Sequence, residues 1–463
     1  MANITPPYRN TPKTIETAEH SQLLPSSYIV DQFTIVNSDL YERDLSPIVV
    51  SFTITEELFS PVNVLNIRIR DDLNFFEEMK LNGQELVKLK LTRSNPEYFD
   101  KKTSDKHTIE LEFAVKEYPN YQKGVNTQTI QEYNIIAIPP YSYMSMLKRI
   151  SRSVKGPITD SIKKILVNDL YCTESFEVKG NPVTPLNGVI TTQSPLKAIE
   201  WMRSRLFDEK SSPFFFYRPI SSEKFILHSW TNIATVDTTY RKFQYLPFLT
   251  NSSSTPLTYA ESMSRILDIK SNIKLDKLEQ AVGGAYSSTL RVVDIGSKGF
   301  SDKVFDVFKD TSISQNRMKP YDAYTDAVAF LKTSTSLSIG RSLKDFNRAF
   351  VKELAVNSAK DSISDPDSLS VGTLLQHLAP SQSYLSKLNA RCHEVEVNGD
   401  FLLNPGVKVD IEVAKGAHTV VYDLKDNANQ IDKFMSGTYV IGVVAHVFKD
   451  GLYRCKMKVF NDV

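Results

Sequence analysis

Residues 389–463 constrain the fold more than any other stretch. They read NARCHEVEVNGDFLLNPGVKVDIEV, then a polar loop, then SGTYVIGVVAHVFKDGLYRCKMKVFNDV. Val407, Val409, Ile411 and Val413 alternate with Lys408, Asp410 and Glu412. That period of two predicts a half-buried strand. Tyr439–Phe448 reads as a second strand, Lys449-Asp450-Gly451 as a turn, and Leu452–Phe460 as a third strand. Nothing in these strands has the look of an active site, which points to an assembly module.

The amino-terminal half repeats the pattern. Val50, Phe52 and Ile54 alternate with polar neighbours, as do Leu65, Ile67 and Ile69, then Val87, Leu89 and Leu91, then Ile109, Leu111, Phe113 and Val115. Four such segments predict an antiparallel sheet or barrel buried on one side. A one-residue slip would turn each apolar face to solvent, so the register is well specified.

Between the two β-rich ends the character changes at Pro139-Pro140. Tyr143, Met146/Leu147 and Ile150, then Ile162, Ile165/Leu166 and Asp169/Leu170, recur at helical spacing. Ser194-Pro195 reads as an N-cap with Pro at the first helical position, opening a helix to Leu206. Pro213–Trp230 reads as a hairpin, Asn251–Pro256 and Asp361–Ser370 as loops, Tyr286–Asp294 as a strand, and Ser342–Leu354 as an amphipathic helix. The expected fold is therefore α+β and β-rich, with two antiparallel β-barrels flanking mixed α/β insertion domains. The expected division is an extended arm at 1–27, a first barrel at 28–142, a peripheral α+β region at 143–212 and 231–385, and a second barrel at 213–230 and 386–463.

Bulk properties exclude several classes. Fifty-five basic against 54 acidic residues leave a net charge of +1, which disfavours stable nucleic-acid binding. Cys172, Cys392 and Cys455 are odd in number and widely spaced, so neither a disulfide framework nor a zinc site is expected. The opening MANITPPYRNTPK lacks an apolar signal core, and Pro213–Tyr217 and Tyr439–Phe448 are far shorter than the roughly 20 residues of a membrane helix. No membrane insertion is expected, and assembly in a reducing cytoplasm fits best.

A search for chemistry returns little. His20, His107, His228, His377, His393, His418 and His446 include no helical metal pair. Cys392 and His393 are adjacent on a strand and face opposite ways, one inward and one outward. No nucleophile elbow or phosphate-binding loop occurs; Ile295-Gly296-Ser297-Lys298-Gly299 is a surface turn. No catalytic residue, cofactor or metal site is expected. Arg454, Lys456 and Lys458 share one face of the last strand, and Arg68/Arg70 and Lys88/Lys90 do so in the first sheet. These are solvated faces or, in the sharper reading, a lining along which DNA passes.

The order Gly399-Asp400, Asn404-Pro405-Gly406-Val407, loop, Ser436-Gly437-x-Tyr439-x-Ile441, then His446, a turn and a final strand resembles the last barrel of the central baseplate hub protein of contractile-tailed phages. Glu57-Leu-Phe-Ser-Pro61, Arg70-Asp71-Asp72, Gly83-Gln-Glu85, the helix from Ser194 and Gly284-Ala-Tyr-Ser-Ser288 extend the likeness over most of residues 28–463. The match to the T-even phage hub is distant. The resemblance implies a homotrimer with two tail-tube-like barrels per subunit, six in all around a channel. It implies a virion position at the baseplate centre, joining a hexameric tail tube or tube initiator to a trimeric cell-puncturing spike. Baseplate wedge and tape-measure proteins would be neighbours, and DNA a passenger in transit. Asn404, Pro405, Gly406, Val407, Gly437, Tyr439, Ile441 and His446 are the implied assembly motif, and Arg454, Lys456 and Lys458 the implied channel-facing residues. Two alternatives stay open: a hub or spike of a related contractile injection system, and a tail-associated cell-wall glycosidase.

Overall fold

A computed structural model describes residues 26–93, 108–124, 130–172, 175–222, 224–245, 259–273, 279, 282–294, 298–306, 351–356, 371–388, 391–415, 431–432 and 435–461. The arm at 1–25, the loops read at 251–256 and 361–370, and residues 342–350 lie outside the described residues, as do His20, His107 and His418.

The chain starts as β1 (Tyr28–Val36), β2 (Glu42–Asp44), β3 (Val49–Glu57), β4 (Ser60–Asp71), α1 (Phe75–Glu78), β5 (Leu86–Arg93), β6 (Thr108–Glu117), β7 (Gln122–Lys123) and β8 (Gln131–Ile138). It continues as α2 (Pro140–Leu147), β9 (Ile150–Pro157), α3 (Ile158–Asp169), β10 (Phe176–Lys179), β11 (Pro185–Gln193), α4 (Pro195–Arg203), β12 (Phe214–Tyr217), β13 (Phe225–Ser229) and α5 (Trp230–Thr235). It ends as β14 (Lys242–Tyr245), α6 (Tyr259–Met263), β15 (Ile266–Ile273), β16 (Ser287–Asp294), β17 (Gly299–Asp306), β18 (Val351–Val356), α7 (Val371–Lys387), β19 (Arg391–Asn398), β20 (Lys408–Val413), β21 (Gly437–Lys449) and β22 (Leu452–Asn461).

In the first β unit the antiparallel order is β3-β4-β8-β6-β5-β1, with β2 on the outer edge of β1. The sheet curls until its ends meet. Leu45 N–H donates to Phe33 O, Arg70 N–H donates to Ile48 O, and the Phe33 and Phe52 rings stand 5.0 Å apart. Ile54, Leu65, Ile67, Val87, Leu89, Phe113 and Ile135 fill the interior, each contributing about 1.5–3 kcal/mol by burial. Val50, expected inside, is 40% exposed because the β3–β4 register shifts between Val49 and Ser51. Two buried carboxylates shape the turns. Asp71 accepts from the N–H groups of Leu73, Phe75 and Phe76, and Glu85 from those of Asn82 and Gly83 and from the Tyr118 hydroxyl.

The second unit is a closed six-stave barrel, β15-β19-β22-β21-β20-β14, sealed by a bridge between Gln244 and Arg265. The pairing moves its boundaries. β14 and β15 come from the stretch read as peripheral, whereas the hairpin β12–β13 forms and then pairs with β10 in a separate sheet. The parallel β14–β20 pair is a long-range match that period two cannot reveal.

Strand β21 also pairs antiparallel with β3, from Val443↔Glu57 to Lys449↔Ser51, so the two units share one continuous 14-stranded sheet among the described residues. The insertion between them holds α2, α3 and α4 over the β9–β11 ribbon, with a core of Ile162, Ile165, Ile199, Met202, Phe214 and Phe225. Ile150 opens β9 rather than extending α2, whose last residue gives way to an extended Lys148. Ser194 occupies the N-cap of α4 without a side-chain cap bond; Ser145 Oγ, from α2, accepts from Leu196 N–H instead. A three-stranded sheet, β17-β16-β18, packs against α7. The helix expected over 342–354 is overturned where it is described: Val351–Val356 is β18, parallel to β16. Val351, Leu354 and Ala355 have helical spacing, and pairing with β16 overrides it.

Candidate functional site at the junction of the barrels

The Asn404–Val407 segment is a type II turn, with Pro405 second, Gly406 third at φ +80° and Val407 N–H donating to Asn404 O. A side chain at Gly406 would also put its Cβ 2.7 Å from the Tyr217 hydroxyl. Gly406 N–H donates to Ile441 O and Ile441 N–H to Val407 O, so the turn is stitched to β21. Asn404 Nδ2 donates to Ser221 Oγ at 2.7 Å, tying it to the β12–β13 connection.

Strand β20 follows. Val409, Ile411 and Val413 point inward as expected, but the polar face is not solvated. Lys408 Nζ bonds the carbonyls of Ala234 and Val236, and Glu412 is held by Lys242 and Gln244. β14 and the segment before it cover that face.

On β21, Gly437 pairs with Ile411, while Tyr439 and Ile441 are buried inside. The Tyr439 hydroxyl donates to Met435 O and lies 2.8 Å from His393 Nε2. Cys392 and His393 face opposite sides, yet both are buried, which corrects the expected outward member. Burial, reinforced by Arg391, pushes His393 down to about 4, so it is neutral at pH 7. A bulge at Gly442 then shifts the register between Ile441 and Val443. Inward positions become Val444, His446 and Phe448, and Val443 turns to the partly exposed outer face. Gly442 is obligatory here, since a Cβ would lie 1.7 Å from the Phe460 ring.

His446 is the centre of the junction. Its Nε2 lies 2.6 Å from Glu56 Oε1 on β3, and its Nδ1 lies 2.8 Å from the Tyr453 hydroxyl and 3.5 Å from Cys455 Sγ. Ile220 N–H donates to Glu56 Oε2, so the carboxylate joins first barrel, second barrel and hairpin. Burial opposes charge on the imidazole, but the Cys455 sulfur and the Glu56 carboxylate outweigh it and raise His446 to about 10. Cys455, His446 and Glu56 thus have the connectivity of a nucleophile relay. All three have zero exposure, so no substrate reaches the sulfur and the cluster acts as a clasp. The sequence hinted only at His446; Glu56 and Cys455 sit on other strands.

A second buried clasp centres on Asp400. It bridges Arg93 at 2.9 Å and Arg241 at 3.2 Å, and accepts from the Tyr240 hydroxyl. The end of β5 is thereby locked to the β19–β20 connection and the approach to β14.

Arg454, Lys456 and Lys458 are exposed on β22, opposite Asn398, Glu396 and Glu394 of β19. Arg454 and Lys456 both bridge Glu396. Arg68 similarly bridges Glu132, Lys88 Glu42 and Lys90 Glu110, so these faces alternate in charge. Among the described residues no cluster of three His, Cys, Asp or Glu side chains could hold a metal, and no helix is long and apolar enough to cross a membrane.

No protein-family model matches the chain, and neither does any curated protein. Solved structures do match. A tail protein from Neisseria meningitidis MC58 is similar over 94% of this chain and 97% of its own, with a TM-score of 0.51 at 9% identity. The 43 kDa tail protein of prophage MuSo2 from Shewanella oneidensis is similar over 93% and 98%, with a TM-score of 0.48 at 8% identity. The E. coli c3393 protein is described as a type VI secretion component with structural similarity to T4 tail proteins gp27 and gp5. It matches over 94% of this chain and 76% of its own, with a TM-score of 0.40 at 9% identity. The chain therefore shares, over nearly its whole length, the fold of the Neisseria tail protein.

Proposed function

We propose that this protein is the homotrimeric central hub of a contractile-tail baseplate, joining a hexameric tail tube to a trimeric spike. The observation that carries the reading is the sharing of one sheet by two barrel units, through β21 and β3, within a chain that has a tail-protein fold. Three such chains present six barrel units about a threefold axis, which lets a trimer match a sixfold tube. Among the described residues strand β2 ends the shared sheet with an open edge, and a neighbouring copy can supply its partner.

In this reading residues 28–142 and the β14–β15 and β19–β22 staves form the tube-like ring, and the α+β insertion lies outside it. The Asn404–Val407 turn and Gly437, Tyr439, Ile441 and His446 hold the two units in the fixed relation that ring closure requires. Arg454, Lys456 and Lys458, alternating with Glu394 and Glu396, give the channel a mixed rather than a strongly basic wall. DNA would pass such a wall without being held. The protein is non-enzymatic and works in the virion tail, with wedge and tape-measure proteins as neighbours.

The test is solution mass, for the chain alone and co-expressed with its spike. A species of about 157 kDa, three times 52.4 kDa, supports the trimeric hub. A monomer under both conditions overturns it.

A further inference from the structure

The carboxyl ends of α2 and α3 meet on the outside of the insertion. Lys148 Nζ caps α3 at the carbonyls of Asn168 and Asp169, bridges the Asp169 carboxylate at 3.0 Å and lies 5.1 Å over the Tyr171 ring. Around that contact Leu147 is 70% exposed, Tyr171 67%, Met146 54% and Val167 47%. Single exposed apolar residues are ordinary, but four gathered at one helix junction are not. Tyr171 also has φ +56°, the left-handed position after a helix that normally takes glycine. The chain therefore accepts backbone strain to keep an aromatic ring on the surface.

The exposed charges lean basic, with Asp160 in the first turn of α3 the exposed carboxylate on that helix. Asp169 is buried and already bridged by Lys148 and Arg152. Arg149, Lys163 and Lys164 are exposed. Lys163, Val167 and Tyr171 lie four residues apart, a stripe about 12 Å long at 1.5 Å per residue. That length suits two turns of a docked helix.

We propose that this surface docks an acidic amphipathic helix of a partner protein, its apolar face on Leu147, Val167 and Tyr171 and its carboxylates against Arg149, Lys163 and Lys164. The inference does not depend on the hub reading, since it concerns the insertion alone.

The probe is a synthetic 14-residue helix with leucines on one face and glutamates on the other. A lysine-for-glutamate version and phosphatidylglycerol vesicles serve as comparisons. Full-length protein is expected to bind the glutamate helix in a salt-sensitive way and to ignore the lysine helix and the vesicles. Leu147→Asp and Tyr171→Gly are each expected to weaken binding about tenfold, as loss of an anchor does. Tyr171→Gly should also melt at a higher temperature than the wild type, which separates lost binding from lost folding. Undiminished binding by both variants, preference for the lysine helix, or binding to vesicles instead overturns the proposal. So does self-association that Leu147→Asp abolishes, which would make the occupant a second copy.

Discussion

Glu56 Oε1 and His446 Nε2 lie 2.6 Å apart with no solvent exposure, joining strands 390 residues apart in sequence. One comes from the first barrel unit and the other from the second, so the pair measures their mutual orientation.

Removing one partner leaves a buried charge uncompensated. Glu56→Gln and His446→Gln are each expected to destabilise by about 3–5 kcal/mol, read from chemical denaturation. The pH dependence follows from the raised histidine, about 10 in the fold against about 6.5 unfolded. Its contribution is fully present below about pH 6.5 and is lost as pH rises towards 10. His446→Gln should flatten that alkaline limb; an unchanged slope would mean that the imidazole is neutral in the fold.

The acid limb belongs to other histidines. His228 and His393 are each pushed down to about 4, first by burial and then by Lys179 and Arg391 respectively. Between about pH 6.5 and 4 the unfolded chain takes up protons that the fold refuses, so stability falls as pH falls. Each group steepens the slope by up to about 1.4 kcal/mol per pH unit. Replacing both with Asn should shallow the acid limb in a melting series across that range.

Gly406 combines a left-handed backbone with a close neighbour, and Tyr217 Oη is that neighbour. Gly406→Ala is expected to cost about 1–3 kcal/mol. Adding Tyr217→Phe should recover part of the loss by removing the clash while leaving the strain. Equal stability of the single and double variants would show that backbone conformation alone sets the cost.

Ile441 and Val443 separate a simple strand from a bulged one. Strict alternation puts both on one buried face; the bulge buries Ile441 and leaves Val443 half-exposed. Ile441→Asp should prevent folding, because an unpaired carboxylate cannot stay charged in the barrel interior. Val443→Asp should yield soluble protein within about 1 kcal/mol of wild type. Insolubility of both would place Val443 inside after all.

Much of this protein follows from sequence alone, wherever a rule is local. Strands β3 to β6 and β20 to β22 announce themselves because one buried face imposes a period of two. The Asn404–Val407 and Lys449–Gly451 turns do so because proline, asparagine and glycine fix backbone angles within four residues. Other features needed the tertiary structure, because they depend on which segment lies alongside. The partner strand decides the bulges that turn Val50 and Val443 outward. VKELAV is a strand because β16 offers it an edge. The polar face of β20 is buried because β14, some 170 residues earlier, lies parallel to it. The Cys455–His446–Glu56 clasp exists only where β21 meets both β22 and β3. Chemistry assembled from three strands leaves no spacing in the chain by which to find it.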